Sequence, residues 1–141
     1  MATETRKIVL IVEDEPVFLS ILAEYLDEEG YQVLQASSAS EAFNILASKP
    51  KLDLLITDFR LPDGVSGVMI AEPALKLRPE LRIIYMSGHP AEIFDSGTPT
   101  LAVAPILAKP FSLDALRAQI ERAVEEGMTT VKSVLARVLA S

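Results

Sequence analysis

The stretch Leu54-Leu55-Ile56-Thr57-Asp58-Phe59-Arg60-Leu61-Pro62 decides the fold. It is an apolar run that ends in one carboxylate, Asp58, and Pro62, Gly64 and Gly67 then break the chain. A short apolar run without alternation is typical of a strand buried on both faces of a parallel sheet. An Asp at the end of such a strand projects into the crevice where open α/β sheets bind their ligands. Asp is also common at the start of turns, and this stretch alone leaves both interpretations open.

Similar apolar runs recur along the chain and alternate with segments whose apolar residues follow helical spacing. The five predicted strands are Lys7 to Val12, Tyr31 to Ala36, Leu52 to Thr57, Leu81 to Met86 and Leu101 to Ala108. Pro105 suits an edge strand, because it cannot donate to a sheet hydrogen bond. Strands alternating with helices predict an α/β fold with a five-stranded, parallel, doubly wound sheet. For this size the flavodoxin-like strand order 2-1-3-4-5 is expected.

Local signals predict how the helices begin and end. Pro16 fits a first helical residue, and Ser38 with Glu41 forms a capping box. Ser66 is expected to cap a third helix that Pro73 should kink or interrupt. The predicted inward faces include Phe43 and Leu46 on the second helix, Ile70, Ala74 and Leu77 on the third, and Leu113, Leu116, Ile120 and Val124 on the helix that Ser112 caps.

Composition excludes several classes of protein. A chain of 141 residues fits one domain with a real core. A net charge of -7 argues against sequence-independent binding to nucleic acid or to an anionic membrane. The chain has no cysteine and one histidine, His89, so thiolate and multi-histidine metal sites are ruled out. No run is apolar and long enough to span a bilayer, and a cytoplasmic protein is expected.

Polar side chains follow four of the five predicted strands. Glu13 and Asp14 follow the first, Asp58 the third, Ser87 the fourth and Lys109 the fifth. In a doubly wound sheet these ends lie together, so three carboxylates would crowd one pocket and need a cation. All-oxygen ligands with few protein donors suit Mg²⁺. The Ser87 hydroxyl and Lys109 are suited to holding phosphoryl oxygens, and a carboxylate beside them could form an acyl phosphate.

These motifs resemble the receiver domain of two-component response regulators, of the type found with hybrid sensor histidine kinases. The similarity covers roughly residues 6 to 126. The residues that carry it stand in four groups, Val12-Glu13-Asp14-Glu15, Thr57-Asp58-Phe59-Arg60-Leu61-Pro62 with Gly67, Met86-Ser87-Gly88, and Lys109-Pro110-Phe111.

The resemblance implies a role for each residue of the site. Asp58 is expected to take a phosphoryl group from a sensor histidine kinase or a histidine phosphotransfer protein. Asp14, Asp58 and the backbone carbonyl of Arg60 would ligate Mg²⁺, with Glu13 helping through water. Lys109 would pair with the phosphoryl group, and Ser87 would hydrogen-bond it and bias a two-state switch. Such a domain is not an enzyme in the usual sense, although it slowly dephosphorylates itself, and it signals to a downstream protein.

The sequence departs from the family pattern at four places. Glu13 stands where Asp is commoner, a change the site should accept because the longer acid can still reach through water. Ile106 stands where an aromatic residue is usual, so an aromatic rotamer cannot contribute to the switch. The region from Gly88 to Pro105 is rich in Pro and Gly, and the fourth helix is expected to be irregular or shortened. Residues 127–141 lie beyond the receiver domain, 1–126, and carry an apolar stripe that predicts an extra helix, roughly Thr129 to Ala140. The stripe could fold back onto the domain, pair with a second copy or begin an output module, and the homodimer is the favoured of the three.

Two alternative interpretations fit the residues less well. A pseudo-receiver that acts as a scaffold or dimerisation module without phosphorylation is disfavoured by the presence of Asp14, Asp58, Ser87 and Lys109. An enzyme or flavin protein on the same fold fits less well. Glu13-Asp14-Glu15 would repel a flavin phosphate after the first strand, and Arg60 stands where a haloacid-dehalogenase-type phosphatase would have a second Asp.

Overall fold

Five parallel strands form one sheet in the computed structural model, which describes residues 6–48, 51–91 and 104–125. The strands are β1 (Ile8–Val12), β2 (Gln32–Ala36), β3 (Leu54–Asp58), β4 (Arg82–Ser87) and β5 (Ile106–Ala108). Their order across the sheet is β2-β1-β3-β4-β5, and every neighbouring pair is parallel. The predicted doubly wound topology is therefore confirmed, with β5 at an edge.

Helices cover both faces of the sheet. They are α1 (Pro16–Glu28), α2 (Ala39–Ser48), α3 (Gly67–Leu77) and α4 (Leu113–Glu125), and a short 3-10 turn spans Pro62–Gly64. Buried residues of α1 and α4 pack with Ile11 and Ile56 on one face, whereas those of α2 and α3 pack with Leu10 and Leu55 on the other. All residues of β1 and β3 are buried, which explains why their sequences show no alternation.

The predicted helix starts are largely confirmed. Pro16 opens α1, and the Glu15 carboxylate accepts hydrogen bonds from the backbone N–H groups of Phe18 and Val17. The Ser38 hydroxyl accepts from Glu41 N over 3.1 Å, as the capping box requires. The reciprocal half differs from the prediction, because the Glu41 carboxylate accepts from the N–H and the hydroxyl of Ser37.

The third helix corrects two predictions. It continues from Gly67 to Leu77 with the exposed Pro73 inside it, so the predicted interruption does not occur. Ser66 occupies the N-cap position, but its side chain makes no capping hydrogen bond.

Three predicted core positions lie at the surface. Phe43 is 43% exposed, Leu77 is 78% exposed and Leu113 is 38% exposed. The residue that α2 buries is Ala42, and those that α3 buries are Gly67, Ile70, Ala71 and Ala74.

Several predictions fall on residues outside the described ranges. The irregular fourth helical region and the extra C-terminal helix are among them, as are residues 101–103 of the predicted fifth strand. The chain is helical at Pro90 and Ala91, next to that gap. Among the helices that are described, none is long and apolar enough to cross a membrane.

Candidate functional site

The carboxyl ends of four strands bring the predicted site residues to one edge of the sheet. Glu13 and Asp14 follow β1, Asp58 is the last residue of β3, Ser87 is the last residue of β4, and Lys109 follows β5. The strand register aligns these ends, since Val12 pairs with Thr57, Asp58 with Met86, and Ser87 with Ala108.

Lys109 joins two of the acidic residues. Its Nζ lies 2.6 Å from Asp58 Oδ1 and 2.9 Å from Glu13 Oε1. The Asp58 and Glu13 side chains are 7% and 2% exposed, and that of Lys109 is 27% exposed. These are charge-assisted contacts in a largely desolvated place, where ion pairs are far stronger than at the surface.

Three carboxylates converge beside this lysine. Glu13, Asp14 and Asp58 each offer one oxygen, and these oxygens all lie within 4.8 Å of one another. Two like charges ~4 Å apart cost about 4 kcal/mol at an effective dielectric constant near 20, and one ammonium group cannot neutralise three acids. Asp14 is exposed, so a cation has a route to the cluster from solvent. The all-oxygen donor set fits a hard cation such as Mg²⁺.

The electrostatics of the cluster appear in the titration of Asp58. Burial raises the pKa of Asp58 from 3.8 to about 7, against the lowering effect of Lys109 and with a further raising effect from Glu13. Burial acts to lower the pKa of Lys109, but its hydrogen bonds to Asp58 and Glu13 outweigh burial and leave that pKa raised. The site without a cation therefore holds more negative charge than its surroundings stabilise.

Ser87 and Arg60 lie next to this group. The Ser87 hydroxyl is buried and accepts a hydrogen bond from His89 N over 2.9 Å, while Lys109 N donates to the Ser87 carbonyl over 2.8 Å. Arg60 lies in the loop that follows β3 and has an exposed side chain. An antiparallel bridge to Ser66 closes that loop.

Gly67 supports the Asp58 backbone. A Cβ atom at Gly67 would lie 2.3 Å from the carbonyl oxygen of Asp58 and 2.9 Å from Thr57 Cγ2, so a side chain does not fit. The Gly67 N–H donates to the Phe59 carbonyl over 2.7 Å. This close approach gives a physical reason for the glycine in the motif.

Sequence reasoning missed one neighbour of the site. The Phe18 ring lies beneath the Lys109 ammonium, 5.1 Å from ring centroid to Nζ, and it packs against Phe111 with centroids 5.6 Å apart. The helical spacing of apolar residues after Pro16 includes Phe18 but assigns its ring no place in the site. Its position two residues after Pro16, in the first helical turn beside the Glu13 loop, was the available signal.

Comparison with known proteins gives consistent matches. A family model described as the response regulator receiver domain matches residues 9–121. The transcriptional regulatory protein GlrR of Escherichia coli is 34% identical over 118 residues, which cover 83% of this chain and 26% of GlrR. The chain thus spans about a quarter of the length of that relative.

Two solved structures are similar in fold as well as sequence. The response regulator TrrA of Thermotoga maritima, in complex with Mg²⁺ and BeF, has 30% identity and a TM-score of 0.70, with 83% of this chain and 98% of that chain covered. The receiver domain of the hybrid histidine kinase CckA has 27% identity and a TM-score of 0.67, with the same two coverages. The resemblance expected from the motifs, including the one to hybrid-kinase receivers, is confirmed.

Proposed function

The chain belongs to the response regulator receiver domain family, and on that premise we propose that Asp58 accepts a phosphoryl group in the presence of Mg²⁺. The donor is a phosphohistidine of a sensor histidine kinase or of a histidine phosphotransfer protein. One observation carries the proposal. The buried Asp58 carboxylate lies 2.6 Å from Lys109 Nζ within a cluster of three acids.

The chemistry follows from the position of Asp58. A carboxylate oxygen attacks phosphorus while the bond from phosphorus to the histidine nitrogen breaks, and the product is an acyl phosphate. Asp14, Asp58 and the Arg60 backbone carbonyl would hold Mg²⁺, with Glu13 acting through water, and the cation would neutralise charge on the phosphoryl oxygens. Lys109 pairs with one of these oxygens.

Ser87 links the modification to the rest of the fold. Its hydroxyl lies at the end of β4, next to the last residue of β3. The hydroxyl accepts from His89 N, and its own hydrogen is available to donate to the new phosphoryl group. Because Ile106 replaces the usual aromatic residue, we place the resulting change in residues 90–104. Amide exchange in that segment should change on phosphorylation, and unchanged exchange would contradict this part.

The output is a contact with a downstream protein, and the acyl phosphate is slowly hydrolysed at the same site. No feature of residues 6–48, 51–91 and 104–125 favours a receiver that works without phosphorylation.

We further propose that residues 127–141 form a helical extension beyond the receiver domain, 1–126, and support a homodimer through their apolar stripe. Sedimentation of the whole chain at high concentration should give a dimer, and a monomer would remove this proposal.

The phosphorylation itself is tested by intact mass. Wild type and Asp58→Asn are incubated with acetyl phosphate, with Mg²⁺ or with a chelator. One phosphoryl group should be added to wild type with Mg²⁺ and to neither protein otherwise. Asp27→Asn, an exposed acid on α1, is the matched control and should behave as wild type. A variant lacking Asp58 that gains the same mass would overturn the assignment.

A further inference from the structure

Three groups surround the Lys109 ammonium, and the site chemistry accounts for two of them. Asp58 and Glu13 accept its hydrogen bonds, over 2.6 and 2.9 Å. The third is the Phe18 ring, with the ammonium over it at 5.1 Å from the centroid. A cation within about 6 Å of an aromatic face is attracted by the ring quadrupole, more strongly when water is partly excluded. Only 27% of the Lys109 side chain is exposed.

The Phe18 ring is held in place by the loop that also carries Glu13. Glu13 Oε2 accepts from Glu15 N over 2.9 Å, and Glu15 Oε1 accepts from Phe18 N over 2.8 Å. Pro16 fixes the start of the helix between them. Phe111, two residues after the lysine, packs against the Phe18 ring at an interplanar angle of 59°. The Phe18 ring is therefore held both by the Glu13 loop and by Phe111, which follows Lys109 in the chain.

The carboxylates change partners during the proposed reaction, whereas the ring does not. Asp58 becomes an acyl phosphate, and Glu13 would help to hold Mg²⁺ through water. A lysine with four rotatable carbons then has only the aromatic face as a constant neighbour. Without that face the ammonium would sample solvent, because its exposed side is open.

We propose that Phe18 is a positioning residue for Lys109. The ring face keeps the ammonium above Asp58 and so raises the rate at which Asp58 accepts a phosphoryl group. The observed geometry supports the contact between the Phe18 ring and the Lys109 ammonium, whereas its effect on the rate of Asp58 phosphorylation rests on the proposed function.

The test separates the ring's charge distribution from its shape. Trifluorophenylalanine removes most of the ring quadrupole at nearly constant size, and it is introduced at position 18 or, as the matched control, at position 111. Phosphorylation by acetyl phosphate with Mg²⁺ should slow roughly two- to tenfold for position 18, and by less than about twofold for position 111. An unchanged rate for position 18, or equal slowing for both positions, overturns the proposal.

A second measurement does not depend on phosphorylation. The Lys109 ε-methylene proton resonance is followed by NMR in the metal-free wild type and in Phe18→Leu, after urea unfolding has confirmed that the variant folds. The ring current should displace the wild-type resonance, and Phe18→Leu should return it toward the shift of an exposed lysine. No change would overturn the contact. If wild type accepts no phosphoryl group, the proposed function fails, and this shift alone still decides the contact.

Discussion

Replacing Asp58 with Asn is expected to stabilise the metal-free protein above neutral pH, although it removes the phosphorylation site. Burial, with a further effect from Glu13, raises the pKa of Asp58 to about 7. An asparagine has nearly the same shape and carries no charge, so it resembles the protonated acid that this pocket favours. Lys109 keeps its contact with Glu13, 2.9 Å away, and is not left without an acidic partner.

Proton linkage gives the direction in which stability changes with pH. A carboxyl group whose pKa is higher in the folded state stabilises the fold fully below its unfolded pKa, near 3.8. That contribution is lost as the pH rises to about 7. The difference between the unfolded and folded pKa values of Asp58 corresponds to roughly 4 kcal/mol, at 1.36 kcal/mol per pKa unit. Solvent beside Lys109 screens part of this electrostatic cost. We therefore expect the unfolding free energy of Asp58→Asn to exceed that of wild type by about 2 kcal/mol at pH 8.

Urea unfolding with a chelator at pH 5 and pH 8 measures this effect. The gain in unfolding free energy for Asp58→Asn should be larger at pH 8 than at pH 5. Asp27→Asn, whose side chain is 67% exposed, should change little at either pH. The reasoning is refuted if Asp58→Asn is no more stable than wild type at pH 8, or if its advantage is the same at both pH values.

Three further predictions concern Gly67, Mg²⁺ binding and the Ser112 cap. Gly67→Ala should lower the unfolding free energy by roughly 2 kcal/mol or more in urea, since its Cβ would lie 2.3 Å from the Asp58 carbonyl oxygen, and a wild-type midpoint would contradict this. Mg²⁺ affinity, measured by calorimetry, should rise severalfold from pH 6 to pH 8 because the cation competes with the proton on Asp58, whose pKa is raised to about 7; a flat profile would contradict a metal ligand with that raised pKa. Ser112→Ala should cost about 1 kcal/mol in the same urea assay by removing the cap on Ala115 N, whereas Ser48→Ala, at the exposed end of α2, should cost less, and equal losses would contradict the assignment of the cap.

Much of the fold could be predicted because its signals are local. Apolar runs without alternation identify β1 and β3 as central strands, and the observed strand order agrees. The strand ends then bring Glu13, Asp14, Asp58 and Lys109 together without any further information. Tertiary packing decided what local patterns could not. Ala42, and not Phe43, is the buried residue of α2, and α3 continues through the exposed Pro73.

The contacts of Lys109 show more clearly what could not be predicted from the sequence. Glu13 lies 96 residues away in sequence, and the Phe18 ring lies 91 positions away. The motif predicts that the lysine and the acids meet at one edge. The position of Phe18 in the first turn of α1 places its ring near the Glu13 loop, but its approach to Lys109 depends on how that turn packs against the residues that follow β5.

The central claim is that Asp58 itself carries the phosphoryl group, and chemical trapping of the acyl phosphate tests it most directly. The protein is treated with acetyl phosphate and Mg²⁺ and then reduced with borohydride, which converts an aspartyl phosphate to homoserine. Peptide mass spectrometry should find homoserine at position 58, dependent on Mg²⁺ and on the phosphodonor. Reduction at Glu13 or Asp14 instead, or a borohydride-resistant phosphate on Ser87, would contradict the account.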